Sequence, residues 1–506
     1  MQNRNLPKGT LKITLANTVQ YIIMALFYVV VTKTNSLSQT EMGTLSILSF
    51  LASTFSLFTL LALPTALTKF TSEKLEKNTN EATAIQKKVT KIVIALSIIG
   101  LTIAILLSQF ITQYLWNSTD LMLLIILNFV YAFLINMRNI FTSTLQAIYL
   151  FGKIAIITII FVITSRIIAI VLVLLNIGIM GVIIGYTIGS LITVIVAINF
   201  LRNKLPKTTT SIPLKPILYF SFPLFLTSIT SLVLNWADIV IITSLTSNYS
   251  LTGVYFMVVN SVGALSILYL PIMTTILPTI SAYFGRKKLV NIDKILKTTS
   301  RIIIYIMLPS CIGLAIIAPT ALTLFYGSSY AGGATPLVIL SISTIITALY
   351  LLFTTTLTAI GKTTQILRIN VVSAGILIIT LLILVPILET TGAAFARLTT
   401  QIMSLALAIY ILRNQINIKL DKEAIWKSGV STIAFVPILV IIELVLIPKL
   451  STIQTFSLEL LTAIVVYAFS LYLLKALKSQ DFQLLKQALP KPLTKYLNII
   501  ENIMVR

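Results

Sequence analysis

The stretch IAIITIIFVITSRIIAIVLVLLNIGIMGVIIGYTIGSLITVIVAINFL, residues 154–201, contains a single charged residue, Arg166. A helix needs about 20 apolar residues to cross the hydrocarbon of a bilayer, whereas barrel strands alternate over about ten. This run is continuous and about twice one crossing. It therefore predicts two membrane helices, 154–176 and 179–201, divided at Asn176-Ile177-Gly178.

Outward from it, twelve more segments qualify, near 11–32, 42–68, 91–113, 121–148, 217–245, 251–283, 301–323, 335–360, 364–386, 393–412, 429–448 and 456–477. The prediction is an all-α integral membrane protein of 14 transmembrane helices. Composition agrees: of 506 residues 57% are hydrophobic and 10% charged, with a mean hydropathy of +1.01. Soluble domains carry about 25% charged residues, so the soluble enzyme classes are excluded as a first reading. Arg4 and Lys8 precede a full-length apolar run without a cleavage motif, which predicts an uncleaved first span rather than a signal peptide.

The chain holds 37 Lys+Arg against 14 Asp+Glu, a formal charge of +23. With the N-terminus cytoplasmic, the seven external loops hold only Lys33 and Lys449. Arg138, Arg166, Arg368 and Arg397 fall within spans, and the other 31 cations lie on or at the edge of the cytoplasmic side. Cytoplasmic loops collect Lys and Arg, so the basic excess reflects topology and no nucleic-acid partner is expected. Both termini should be cytoplasmic, in a multi-pass plasma-membrane protein.

No histidine is present, which removes His-based nucleophile pairs, His-ligated metals and histidine switches. The one cysteine, Cys311, makes no intrachain disulfide. There is no GxxxxGK[ST] loop, so ATP is not hydrolysed by that route. Catalytic and metal-binding residues are assigned to none.

The chain repeats itself. Leu63-Pro64-Thr65 with Phe70 is matched by Leu277-Pro278-Thr279 with Phe284. Phe141-Thr-Ser-Thr-Leu-Gln-Ala-Ile148 is matched by Phe353-Thr-Thr-Thr-Leu-Thr-Ala-Ile360, and Gly181 with Leu201-Arg202-Asn203 by Gly392 with Leu412-Arg413-Asn414. Three matches in register predict two copies of a six-helix unit. Six is even, so the copies share one orientation, with a central cleft between them. The expected organisation is a bundle at 1–204, a second at 205–416, and spans 13 and 14 with a basic tail at 417–506.

At the seventh span the chain runs Tyr219-Phe-Ser-Phe-Pro-Leu-Phe-Leu226, then Asn235-Trp-Ala-Asp238-Ile-Val-Ile-Ile, then Thr252-Gly253-Val-Tyr255. With Leu277-Pro278 and Gly392-Ala393-Ala394, this arrangement resembles the polysaccharide exporter and lipid-linked oligosaccharide flippase branch of the multidrug/oligosaccharidyl-lipid/polysaccharide transporter superfamily. The resemblance covers nearly the whole chain. It implies a transporter and not an enzyme. The cargo would be a polyprenyl-phosphate- or pyrophosphate-linked sugar, carried from the cytoplasmic to the outer leaflet by alternating access.

Charged side chains within spans are functional candidates because they are costly there. Guanidinium matches phosphate oxygens in a planar fork, so Arg166, halfway along span 5, and Arg138, deep in span 4, are the leading headgroup ligands. Arg368 and Arg397 join them as candidates, although each lies about one turn inside its span, where snorkelling accounts for it. Asp238 is a candidate for Na+ or H+ coupling or for gating, with no other cofactor expected. Glu443 and Glu459 fall outside the repeat. Asn17 and Gln20 on span 1 and Asn235 on span 7 are candidate sugar contacts. In that superfamily spans 1 and 7 line the cleft, and amides also bond helices together. Partners expected are the lipid-linked oligosaccharide, membrane lipids and glycan-assembly proteins, with the chain a monomer. Two other functions compete: a cation-coupled multidrug antiporter, which wants more core carboxylates, and a non-transporting scaffold of a glycan-assembly complex.

Overall fold

The computed structural model describes residues 6–478 apart from 76, 117–118, 203, 207, 211, 287–288, 414, 417–420 and 443–450, and beyond these residues 481, 482, 486, 498 and 501. Glu443 lies outside the described residues. All regular structure among them is helical. The order is α1 (Leu6–Lys33), α2 (Gln39–Leu60), α3 (Leu63–Leu75), α4 (Thr79–Trp116), α5 (Met122–Ala147), α6 (Phe151–Leu172), α7 (Gly178–Leu201) and α8 (Lys215–Thr246). Then follow α9 (Tyr249–Ala264), α10 (Ser266–Gly285), α11 (Leu289–Ile316), α12 (Ala318–Tyr326), α13 (Ala334–Ala359), α14 (Thr363–Leu412), α15 (Lys422–Ile441) and α16 (Thr452–Leu473).

Twelve helical segments are long and apolar enough to cross a membrane, and two of these, 151–201 and 363–412, hold 51 and 50 residues. At 1.5 Å per residue each would reach about 75 Å, well over twice a ~30 Å hydrocarbon core. Each breaks midway: Asn176 takes φ 62° before Gly178 at φ 59°, and Glu389 takes φ 47° three residues after Pro386. Two crossings apiece give the fourteen expected.

Two predicted spans are not single helices. Span 2 ends at Leu60, where Leu61 and Ala62 adopt left-handed φ values of 48° and 55° before α3 starts. Span 8 is divided at Leu265 into α9 and α10. Hydropathy runs unbroken through both breaks, so it carries no mark of them. The charged stretch from Lys69 to Lys91 covers the end of α3 and the start of α4. There Lys74 pairs with Glu81 at 2.7 Å, and that hydrogen bond raises the lysine above its usual range.

The repeat motifs mark matching structural points. Helices α5 and α13 end at Ala147 and Ala359, and α7 and α14 end at Leu201 and Leu412. The Leu-Pro-Thr pair differs: Leu63 opens α3, whereas Leu277 lies inside α10.

The chain divides into two compact units, residues 1–236 and 237–506. In the first, α5 packs on α2, α3, α4 and α7, while α6 packs on α1 and α7. Leu63, Leu67, Val93 and Ile140 belong to its core. In the second, α13 packs on α9, α10, α11 and α14, and α15 on α11 and α16. Met273, Ile303, Leu352 and the buried Cys311 belong to that core. Many hydroxyl side chains within these helices donate to carbonyls of their own helix. Thr32 donates to the Tyr28 carbonyl at 2.7 Å and Ser165 to that of Phe161 at 2.6 Å. Asn136 reaches across helices to Thr59 Oγ1 at 2.6 Å.

Candidate functional site

The first unit builds its site from the α6–α7 hairpin. Gly181-Val-Ile-Ile-Gly185-Tyr-Thr-Ile-Gly189 places a glycine every fourth residue on one face of α7. A Cβ at Gly185 would stand 2.5 Å from the Ala169 nitrogen, and one at Gly189 would stand 2.6 Å from Ser165 Cβ. The backbones therefore touch through small residues, the packing mode that stands in for a hydrophobic driving force in lipid. This contact sets Arg166, next to Ser165, beside Tyr186, next to Gly185.

The Arg166 guanidinium carbon lies 4.0 Å from the Tyr186 ring centroid and 5.1 Å from that of Phe27. Arg138 stacks on Phe161 at 3.9 Å. The two guanidinium groups lie close enough to feel one another's charge, with Tyr131 nearby. Among the described residues neither arginine has a carboxylate within salt-bridge distance. Nε and Nη1 of Arg166 are buried with no hydrogen-bond partner. Stacking occupies the face of a guanidinium, which leaves Nε and Nη1 of Arg166 as in-plane donors of the kind a phosphate takes. Tyr131 and Tyr186, with ring centroids 5.6 Å apart, also line a chamber of about 380 Å³ with Ser49, Ser53 and Asn128.

The second unit holds a different arrangement. Asp238 on α8 is fully buried, and its Oδ2 receives Arg397 Nη2 at 2.7 Å and the Tyr255 hydroxyl at 2.9 Å. Its Oδ1 accepts the Ile239 N–H at 2.9 Å. Arg397 therefore does not snorkel. The carboxylate inside the fold is a nearer and less solvated partner than the interface, and the side chain turns to it. The four span arginines thus separate into three settings: Arg138 and Arg166 together in one unit, Arg397 with its counterion in the other, and Arg368 exposed on α14. Asn17 is exposed and Gln20 half-buried on α1. Asn235 is exposed, and its Nδ2 donates to the Ser231 carbonyl at 2.7 Å. Glu459 is fully buried on α16 and lines an apolar cavity of about 570 Å³ with Tyr305, Leu439 and Phe456.

Two features escape the sequence reading. One is the glycine ladder of α7, whose four-residue spacing is itself the missing signal. The other is an ion cluster in the second unit. Buried Arg301 donates Nε to Asp481 Oδ1 at 2.8 Å and Nη1 to Asp421 Oδ2 at 3.3 Å, and its Nη2 also bonds Asp481. Asp421 caps α15, and the Lys478 N–H donates to Asp481 Oδ2 at 2.9 Å. The cluster ties the segment after α16 to α11 and α15. Its partners are far apart in the chain, and no local pattern announces them.

The polysaccharide biosynthesis protein family matches residues 6–284, just over half of the chain. The chain belongs to that family. No curated protein matches it by sequence. Among solved structures it is similar to the lipid II flippase MurJ in an inward closed conformation, with a TM-score of 0.75 and 16% identity over 90% of this chain and 97% of that one. It is similar to the MATE multidrug transporter DinF-BH (TM-score 0.60, 17% identity, 81% and 96% covered). It is also similar to a MOP superfamily transporter from Pyrococcus furiosus described by the reverse polarity of its binding pocket (TM-score 0.54, 14% identity, 85% and 96% covered). At these identities the likeness speaks for the fold. The superfamily resemblance and the multi-pass helical fold expected from the sequence are borne out.

Proposed function

We propose that this chain is a flippase that moves a polyprenyl-(di)phosphate-linked oligosaccharide from the cytoplasmic to the outer leaflet of the plasma membrane by alternating access. The observation that carries the reading is the Arg138–Arg166 pair, two guanidinium groups stacked on aromatic rings with no carboxylate among the described residues to neutralise them. An arginine at a helix centre costs about 2.5–3.5 kcal/mol on insertion scales, and cation–π stacking returns only about 0.5–2 kcal/mol. A site left with that deficit is suited to an anion, and a diphosphate supplies the missing charge. The family of polysaccharide biosynthesis proteins supports the sugar part of the reading. The chain acts as a transporter and not as an enzyme, as a monomer with both termini cytoplasmic. The isoprenoid tail stays in lipid, along α15 and α16, where the apolar cavity of about 570 Å³ lies.

The test is reconstitution into vesicles with a fluorescent polyprenyl-diphospho-sugar and a leaflet-accessibility readout. The parent chain is expected to equilibrate the probe between leaflets, and Arg138→Ala with Arg166→Ala to lose this. Undiminished flipping by the folded double variant would overturn the assignment; unchanged surface glycan in cells would instead favour the scaffold reading.

A second reading, cation-coupled drug extrusion, draws on the buried carboxylate Asp238 and on the likeness to a multidrug transporter. It requires Asp238→Asn to abolish drug efflux while leaving glycan assembly intact.

A further inference from the structure

At one end of the first unit a trough of about 740 Å³ runs between α1 and α6. Lys12, Leu15 and Val19 line one wall, one face of α1 at helical spacing. Gly152, Lys153 and Ile156 line the other. A Cβ on Gly152 would stand 3.7 Å from Lys12 Nζ, so the Lys12 side chain lies against α6 at ordinary contact distance. The two lysines stand at the same end of the trough, each about at the start of its spanning stretch. Both are exposed. Neither has an acidic partner within 4 Å among the described residues. Lys153 Nζ rests 4.2 Å from the Phe200 ring centroid.

Beside them Tyr149 and Phe151 meet edge to face, with centroids 6.2 Å apart. Aromatic rings gather at the headgroup level of a bilayer, so the cations lie at the depth of lipid phosphates while the aliphatic walls lead into the hydrocarbon. We infer that this trough is a binding site for an anionic phospholipid, its headgroup held between Lys12 and Lys153 and one acyl chain seated along Leu15, Val19 and Ile156. The occupant follows from charge complementarity: the head end offers two cations and no anion, and the remainder offers only apolar contact. The inference is independent of the flippase reading.

Native mass spectrometry of the purified full chain tests it, with phosphatidylglycerol or phosphatidylcholine added to the detergent micelles. The parent should retain phosphatidylglycerol selectively. A lysine at an anionic surface contributes about fivefold in affinity, so Lys12→Gln or Lys153→Gln should lower retention about fivefold and the pair about 25-fold. Lys12→Arg with Lys153→Arg should restore it, and Lys215→Gln with Lys362→Gln should leave it unchanged. Equal retention of the two lipids by the parent overturns the proposal. So does undiminished phosphatidylglycerol retention by the Lys12→Gln, Lys153→Gln chain.

Discussion

Replacing either member of the Asp238–Arg397 pair is expected to destabilise the second unit, and replacing both to cost less. Asp238 is fully buried and the Arg397 side chain is 21% exposed, so removing one partner falls among buried-pair disruptions of about 3–5 kcal/mol. Asp238→Asn leaves a guanidinium inside the fold without its counterion, and Arg397→Met leaves a carboxylate there without its own. With roughly 2–4 °C per kcal/mol for domains somewhat smaller than this unit, either single variant should lower the melting temperature by about 6–20 °C. The double variant Asp238→Asn, Arg397→Met buries no net charge and should be more stable than the worse single. Thermal unfolding of detergent-purified protein, each variant referred to the parent at the same pH, provides the measurement. Singles that unfold with the parent, or a double variant below both, would refute the argument.

Three further outcomes follow from the geometry. Gly185→Leu drives a side chain into the Ala169 backbone, where even a Cβ would stand at 2.5 Å; it should abolish monodisperse protein in size-exclusion chromatography, whereas Gly375→Leu, with nothing within 4 Å of its Cβ position, should not. Arg166→Met removes an uncompensated intramembrane charge worth about 2.5–3.5 kcal/mol at the loss of stacking worth up to about 2 kcal/mol. The variant should unfold at or above the parent temperature while losing transport. Asp481→Asn strips Arg301 of a buried carboxylate, a loss of about 3–5 kcal/mol; limited proteolysis should then cut after α16 faster than in the parent.

What the sequence made legible was whatever the bilayer imposes locally. Long apolar runs gave the crossings, including the turn at Asn176, because only a helix satisfies its own backbone in hydrocarbon. The paired Phe141–Ile148 and Phe353–Ile360 stretches gave equivalent helix ends. Arg138 and Arg166 were visible because a charge stands out against such a background. The left-handed break at Leu61 and Ala62 was invisible, since nothing distinguishes those residues from their apolar neighbours. So was the destination of Arg397: its position near the end of a crossing suggested the interface, and only the fold brings Asp238 within 2.7 Å. Arg301 stands at the start of its predicted span and Asp421 and Asp481 lie outside the spans, far away in the chain, until tertiary structure gathers them.

The unequal treatment of the arginines has an electrical consequence. A guanidinium tied to a carboxylate sums to zero, so Arg397 with Asp238 performs no work when shifted in a transverse field. Arg138 and Arg166 carry two unbalanced charges, each worth about 2.3 kcal/mol per 100 mV if it crossed the full voltage drop. Under the flippase reading, a doubly negative headgroup cancels them. The loaded step is then voltage-silent, and an interior-negative voltage draws the vacant site back towards the cytoplasm.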